Sequence, residues 1–435
     1  MARFSDLSSE VIVMISNFVE PRDLDSFFLT SKHIRELNEA RITEHSTLKN
    51  DYKHLISHTS PDGIENFGTL ANLLKKVLTV PRAASYVEDL DIRGWHMGWI
   101  SGSHLDDRRS NDMLSEENRI LFNDATSGST YVPEGLLDAW MGGFEDGLED
   151  QIIGLLLIVL PKLSILNLMG VCDWDNLVTD TIDRISQAPK LEALTMLKCV
   201  TISGKETPTP LHVVKSLAAL PSMRQIHAEN VSTTSEDQYA SPPDSRITSL
   251  CLPKCTLGPE FLHEFLGSFT SLVTFEYTDG TRVRDDAEPG SNAFWICNSL
   301  KHHAKHSLRK LTLRSPHRKN FTIIGFLQTL EVLEELDVDF GALVNSRLFG
   351  IGYGSLNQVL PASIKKVTLR HISGAGVMEL DFYVRIVHHV IMQGKQALPL
   401  LEALNFRPKK NSKTLKFSLR DIAACEAAGI TLTVD

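Results

Sequence analysis

LRKLTL at residues 308–313 and LEELDV at residues 333–338 share one six-residue phrase, apolar-x-x-apolar-x-apolar, and this phrase decides the fold. Other copies begin at intervals such as 24, 25 and 31 residues. Apolar residues two apart are typical of a strand with one buried face. A strand phrase that returns with such a period predicts a repeat protein, in which each unit buries its apolar face against its neighbours.

Ten copies of the phrase and one closing strand can be read along the chain. They are VEDLDI from Val87, LSILNL from Leu163, LEALTM from Leu191, MRQIHA from Met223, ITSLCL from Ile247, LVTFEY from Leu272, LRKLTL from Leu308, LEELDV from Leu333, IKKVTL from Ile364, LEALNF from Leu401 and the closing ITLTVD from Ile430. Helical runs lie between them, at 177–185, 211–220, 261–269, 293–306 and 382–392. One strand and one helix per unit predict an α/β repeat with a parallel sheet inside and helices outside.

The interval between Val87 and Leu163 breaks the period, which predicts an insert at about residues 94–151. This insert carries Trp95, Trp99 and Trp140 among acidic residues, with helical patterns at 116–122 and 136–140. Long inserts in repeat arrays often bind partners. A structural elaboration with a small core of its own explains the same residues, and the sequence leaves both interpretations open.

A different pattern precedes the repeats, in LSSEVIVMISNFVEPRDLDSFFLTSKHIREL at residues 7–37. Helical spacing and helix boundaries predict three short helices: Val11, Ile12, Ile15, Phe18 and Val19 on the first, Pro21, Leu24, Phe27 and Phe28 on the second, and Ser31 as N-cap of a third with Ile34 and Leu37. Helices this short need tertiary packing to be stable. The segment has more large apolar residues than so small a core needs, so we expect it to dock onto a partner.

This stretch resembles the F-box, the motif that binds a Skp-type adaptor in cullin-based (SCF) ubiquitin ligases. The matching positions are Leu7, Glu10, Ile12, Ile15, Phe18, Pro21, Asp23, Leu24, Leu29, Ser31, Lys32 and Leu37. The chain departs from the motif at Ser8, where proline is usual, and at Ile34, where tryptophan is expected. The resemblance implies adaptor docking through Leu7, Ile12, Ile15, Phe18, Pro21, Leu24, Phe28 and Leu29. The alternative is a generic helical hairpin.

The repeats resemble leucine-rich repeats, and the whole chain is similar to fungal F-box proteins with degenerate copies of that repeat. The phrase LLKKVLTVPRAASYVEDLDI at 73–92 resembles their first repeat. The resemblance implies an F-box at 1–45, a helical linker at 46–86 and an irregular leucine-rich-repeat solenoid at 87–435. It also puts Cys199 and Cys255 where that repeat has a buried Asn or Cys, so we expect both thiols in the core.

Composition narrows the class of partner. The chain of 435 residues has a formal net charge of −10, which argues against general binding to nucleic acid or to an anionic membrane. The longest apolar run, at 152–160, is too short to span a bilayer, and no signal peptide is visible. Six cysteines without metal or disulfide spacing favour a reducing compartment, so we expect a cytoplasmic or nuclear protein, or one in both places.

No group of residues in the sequence is typical of an active site. GIGYG at 350–354 has no preceding strand and no Walker lysine, so a turn is the better interpretation than a phosphate loop. His302, His303 and His306 share a predicted helix, but a zinc site would need further ligands; a solvated helix face is favoured there and at His388 and His389. We therefore expect no cofactor and no metal.

The outward positions of four successive strands carry an alternating charge pattern. The candidate substrate-binding residues are Lys310, Arg314, Glu335, Asp337, Asp339, Lys366, Arg370 and Arg407. Opposite charges on neighbouring strands can stabilise the sheet as cross-strand pairs. The same charges can select a protein substrate. Both interpretations can hold together.

By resemblance, the function we expect is that of the substrate-recognition subunit of an SCF-type ubiquitin ligase. The F-box would hold a Skp-type adaptor and, through it, a cullin, while the solenoid binds a protein substrate that the sequence does not identify. Such a subunit has no catalytic residues of its own. A non-degradative scaffold is the alternative, and an enzyme hidden in the repeats would require a closed pocket of titratable groups.

Overall fold

The structure, a computed structural model, divides into two compact units, Met1–Thr207 and Pro208–Asp435. It describes residues 7–57, 64–80, 82–93, 114–145, 148–171, 177–188, 190, 192–204, 207–233, 245–280, 293–315, 324–325, 327–343, 359–372, 398–408 and 417–434. Two predicted features, the GIGYG run and the helix at 382–392, lie outside the described residues.

Four helices open the first unit: α1 (Ser9–Phe18), α2 (Pro21–Leu29), α3 (Lys32–Leu37) and α4 (Glu39–Tyr52). The three predicted N-terminal helices are therefore confirmed, with Pro21 at the first position of α2 and Ser31 at the N-cap position of α3. Their core consists of Ile12, Leu24, Phe28 and Ile34, against which Val19, Phe27, Leu37 and Ile42 pack.

Parallel strands in chain order form the sheet of the first unit: β1 (His54–Ser57), β2 (Asp89–Arg93), β3 (Ile165–Val171) and β4 (Cys199–Gly204). The accompanying helices are α5 (Ile64–Thr79), α6 (Glu116–Ser127), α7 (Leu137–Glu145), α8 (Glu149–Val159) and α9 (Leu177–Gln187), with short 3-10 helices at Ala83–Tyr86 and Glu134–Leu136. Parallel strands need such crossover connections because the chain must return to the same end of the sheet before each new strand begins.

The second unit repeats this arrangement. Its strands are β5 (Thr209–Pro210), β6 (Gln225–Glu229), β7 (Val231–Ser232), β8 (Ser249–Cys255), β9 (Thr274–Asp279), β10 (Lys310–Arg314), β11 (Glu335–Asp339), β12 (Lys366–Ile372), β13 (Ala403–Pro408) and β14 (Thr431–Val434). Strand β6 pairs in parallel with β8, and from β8 to β14 each strand pairs in parallel with the next. The two short strands β5 and β7 pair with each other. The helices are α10 (Leu211–Ala219), α11 (Pro259–Gly267), α12 (Ala293–His303), α13 (Phe340–Leu343) and α14 (Leu419–Ala427).

The predicted α/β class is confirmed, because the apolar positions of the phrase are buried in parallel strands. Leu308, Leu311 and Leu313 are exposed by 0%, 0% and 3%. Cys255 is also buried, and its Sγ accepts a hydrogen bond from the backbone N–H of Val231 at 3.3 Å. Burial raises the pKa of this thiol above its usual range, so the structure places it in the core as the sequence predicted.

The strand predicted at 191–196 is wrong. Leu194 has a φ of 53° and lies in a turn, whereas the strand is β4, which begins at Cys199. LKCVTI at 197–202 also fits the phrase, and its Leu197, Val200 and Ile202 are fully buried. Cys199 therefore precedes a core position and is half-buried, rather than occupying the core as predicted. The structure also contains a strand that was not predicted, β1. In this strand Ser57 occupies the position that is the last apolar one in the other copies of the phrase.

The second half of the insert packs as a layer with its own aromatic core. Phe122 of α6 lies 5.5 Å from Phe144 of α7 between ring centroids, and Trp140 lies 6.3 Å from Phe144. All three side chains are at most 2% exposed. This favours the structural interpretation for residues 114–145, while Trp95 and Trp99 lie outside the described residues.

Candidate functional site

Apolar side chains are exposed on the N-terminal helices. Phe18 is 82% exposed, Leu29 78% and Met14 54%, and Met14 and Phe18 share one side of α1 because they are four residues apart. We call the exposed set the N-terminal apolar surface: Leu7, Val13, Met14, Phe18 and Leu29.

The eight residues predicted to dock an adaptor divide between this surface and the core beneath it. Leu7, Phe18 and Leu29 are exposed, and Ile15 and Pro21 are half-buried. The remaining three form the core of the helices: Ile12, Leu24 and Phe28. Their side chains hold the helices together and do not reach the surface. Val13 and Met14 are also exposed but were not among the predicted residues. They lie between the buried residues Ile12 and Ser16 on α1, and helical spacing could have placed them outside the core.

A buried histidine joins the N-terminal helices to the first strands of the sheet. His45 of α4 has its Nδ1 2.8 Å from the hydroxyl of Tyr86 and its Nε2 3.1 Å from the carboxylate of Asp25. The ring also contacts Phe28 edge-on. Burial raises the pKa of Tyr86 to about 12, and a hydrogen bond from Lys49 lowers the pKa of Asp25.

A second set of contacts fixes the corner between α1 and α2. Lys162 donates to both carboxylate oxygens of Glu20 at 2.9 Å, and Arg82 donates to the carbonyl oxygen of Val19 at 3.1 Å. The hydrogen bond from Lys162 lowers the pKa of Glu20. Together with His45, these contacts hold the N-terminal helices in one orientation on the strands of the first unit.

The charged strands of the second unit are paired with each other. Arg370 donates from Nε and Nη2 to the two oxygens of Asp337 at 2.5 and 2.7 Å. Arg314 lies 3.3 Å from Asp337 on one strand and 3.4 Å from Glu276 on another. We call Glu276, Arg314, Asp337 and Arg370 the charged network. The hydrogen bonds from Arg370 to Asp337 raise the pKa of Arg370 above its already high usual value.

The other candidate substrate-binding residues differ in their surroundings. Lys310 and Glu335 form a half-exposed pair at 3.4 Å. Lys366 is exposed and forms no ion pair with any residue that the structure describes, and Arg407 is exposed on β13. Asp339 is 1% exposed and accepts a hydrogen bond from the backbone N–H of Ser315, so its predicted place on the outward surface is wrong. Glu276 was missed because its strand, LVTFEY, is otherwise neutral.

The first unit has apolar side chains on the outward face of its sheet. On β3, Leu166 and Leu168 are fully buried, whereas Ile165 is 36% and Met169 38% exposed. Ile56 on β1 is 49% exposed. We call Ile56, Ile165 and Met169 the β1–β3 patch. The strand between β1 and β3, β2, carries charged residues at its outward positions, Asp89, Asp91 and Arg93.

Two of the histidines predicted to share a helix, His302 and His303, cluster with a third histidine from another helix, His263. The rings of His302 and His303 lie 6.5 and 5.4 Å from that of His263 on α11. Within the described part of the chain, no group of three or more His, Cys, Asp or Glu side chains is placed to hold a metal ion. His306 is exposed and pairs with Glu331, and His388 and His389 lie outside the described residues.

Comparison of the chain with models of known protein families gives no match, and comparison with curated proteins gives no match either. No helix among the described residues is both long and apolar enough to cross a membrane.

Proposed function

We propose that the chain is a substrate-recognition subunit of an SCF-type ubiquitin ligase, with residues 7–37 acting as an F-box. The observation that carries this proposal is the N-terminal apolar surface. Phe18 and Leu29 are large apolar residues at about four-fifths exposure, supported on a small packed core. Exposed apolar groups of this kind mark protein-interaction sites, because burying them against a partner is favourable.

The two departures from the F-box pattern are compatible with this proposal. Ile34 is 4% exposed and packs in the core of the three helices, so an isoleucine there does not remove apolar area from the surface. Ser8 occupies the N-cap position of α1 with an extended φ of −69° and ψ of 156°. The side chain of Ser8 makes no capping hydrogen bond, and its φ lies within the range that proline adopts, so the serine leaves the backbone path there unchanged.

In this proposal the parallel strands and helices are leucine-rich repeats that hold a protein substrate. The orientation of the F-box on the first strands is fixed by Glu20, Lys162 and His45. A fixed orientation would present the substrate at a defined position relative to the adaptor and the cullin. The chain itself supplies binding surfaces, and its partners in the ligase perform the transfer of ubiquitin.

The test is co-purification from cells with the Skp-type adaptor and the cullin. The variant Phe18→Asp/Leu29→Asp should lose both proteins, because it places charge on the docking surface. A matched control is Leu419→Asp, which changes an 86% exposed leucine on α14. Recovery of adaptor by wild type and control but not by the double variant supports the proposal; equal recovery by all three, or recovery by none, overturns it.

A further inference from the structure

An open cavity of about 570 Å³ lies in the first unit, between the end of α4, the strand β1 and the helix α5. We infer that this cavity binds a small amphipathic carboxylate, a molecule with an apolar body and one terminal carboxylate group. The volume is within the range of about 300–1,000 Å³ that is typical of small-molecule sites. The inference goes beyond the proposed function, because it requires neither the adaptor nor a protein substrate.

The cavity lies at the edge of the sheet. Among the described residues, no strand pairs with the outer side of β1, so the apolar layer there is not closed as it is between later strands. Leu55 of β1 is half-buried, whereas Leu90, its partner in register on β2, is fully buried. Helix α5 contributes Leu70 and Leu73 to the opposite wall. These four leucines offer an apolar surface against which the body of a ligand can be buried.

Tyr52 provides a polar group in the wall of this cavity. Its side chain is 9% exposed, yet its hydroxyl forms no hydrogen bond with a described residue. The amide oxygen of Asn38 is sealed in the core without a partner, whereas the hydroxyl of Tyr52 is not sealed in this way and remains accessible. Buried tyrosine hydroxyls usually have a hydrogen-bond partner. A ligand oxygen in the cavity would supply that partner.

Two further donors indicate the head group of the ligand. Asn72 and Lys76 are both exposed and line the cavity from α5, one helical turn apart. Lys76 forms no ion pair with any residue that the structure describes, whereas its neighbour Lys75 pairs with Glu117 at 3.1 Å. Together with the hydroxyl of Tyr52, these groups can donate to one anion, and hydrogen bonds from an ammonium to a carboxylate are among the stronger ones.

The charges of the lining favour a carboxylate over other head groups. Lys76 is the one cation among the described residues that line the cavity, and a single cation matches the single charge of a carboxylate better than the higher charge of a phosphate. Asp51 lines the same cavity from the end of α4 with a short side chain. An amine is therefore the competing ligand, and the experiment separates it from a carboxylate.

The experiment is calorimetric titration of the full-length chain with decanoate, decanol and decylamine, which share one apolar body. We expect saturable one-to-one binding of decanoate, with decanol about 10-fold weaker and decylamine weaker still. Lys76→Gln should weaken decanoate by about 10-fold and change decanol by less than about 2-fold, because only the charged contact is lost. Tyr52→Phe should weaken decanoate by at least about 3-fold.

Two control variants test where the probes bind. Lys75→Gln should leave the binding of decanoate unchanged, because Lys75 does not line the cavity and is paired with Glu117. Asn72→Trp places a large side chain at an exposed position of the cavity wall and should abolish binding of both decanoate and decanol. Unchanged melting temperatures would show that the variants are folded.

Several results overturn the inference. They are no saturable binding of decanoate, as expected if another part of the chain occupies the cavity; decylamine bound as tightly as decanoate; equal losses for Lys75→Gln and Lys76→Gln; no loss for Tyr52→Phe; or binding that survives Asn72→Trp. Recovery of the adaptor is a separate measurement. A chain that binds decanoate but no adaptor contradicts only the proposed function.

Discussion

The Nδ1 atom of His45 lies 2.8 Å from the hydroxyl oxygen of Tyr86, and both side chains are buried. This hydrogen bond connects α4, which follows the N-terminal helices, to the 3-10 helix that precedes β2. Because Asp25 of α2 occupies the other ring nitrogen, the imidazole is satisfied on both sides. The orientation of the N-terminal helices depends on this residue.

Replacing Tyr86 by phenylalanine should lower the melting temperature of the protein. The variant keeps the ring but leaves a buried nitrogen of His45 without its partner, which costs about 1–3 kcal/mol. For a unit of this size each kcal/mol corresponds to about 2–4 °C. Tyr52→Phe is the matched control, since Tyr52 is 9% exposed and its hydroxyl forms no hydrogen bond with a described residue. Equal melting of the two variants would show that the bond to His45 contributes nothing.

Removing the carboxylate of Asp337 should destabilise the second unit. Asp337→Ala leaves Arg314 and Arg370 facing each other without the anion that bridges them, and hydrogen bonds to charged groups contribute about 1.5–3 kcal/mol. Glu335→Ala on the same strand removes only a half-exposed pair with Lys310, for which about 0–1 kcal/mol is expected. Urea unfolding of both variants measures the difference. A larger loss for Glu335→Ala would contradict the importance of the charged network.

The histidine cluster should make the second unit sensitive to mild acid. Burial, and then the neighbouring rings of His263 and His302, lower the pKa of His303 below its usual value of 6.5. The unfolded chain therefore binds a proton at a higher pH than the folded one, and stability is lost as the pH falls below about 6.5.

Thermal melts between about pH 7.5 and pH 5 test this effect. His303→Gln should flatten the dependence of the melting temperature on pH over that range. His306→Gln is the control, because His306 is 65% exposed and pairs with Glu331 outside the cluster. If His303→Gln follows the wild-type curve, protonation of this cluster does not limit the stability of the unit.

The sequence predicts the strands well where the phrase is unambiguous and fails where two registers compete. LEALTM at 191–196 and LKCVTI at 197–202 follow one another directly and both satisfy the pattern, but packing against β3 selects the second, with Leu197, Val200 and Ile202 inside. The first strand was missed for a related reason. Its last inward position is Ser57, a polar residue that is 4% exposed, and hydrophobic periodicity cannot reveal a buried polar residue.

Surface residues were harder to predict than core residues, because exposure depends on what packs against each element. Phe18 belongs to the apolar stripe of α1 together with Ile12, yet Ile12 is 1% and Phe18 82% exposed. A helical pattern cannot state which end of the stripe a small core will cover. The charge pattern on β10–β12 was visible in the sequence, whereas the partners within the charged network depend on side-chain reach across strands and required the structure.

The central claim is that the N-terminal apolar surface binds a Skp-type adaptor directly, and calorimetric titration of the purified full-length chain with purified adaptor tests it. We predict a one-to-one complex with the wild-type chain. Phe18→Asp/Leu29→Asp should weaken it by at least about 30-fold, as expected for loss of about 2 kcal/mol at central apolar contacts, with an unchanged melting temperature. Absence of binding by wild type, or equal binding by the variant, would contradict the claim.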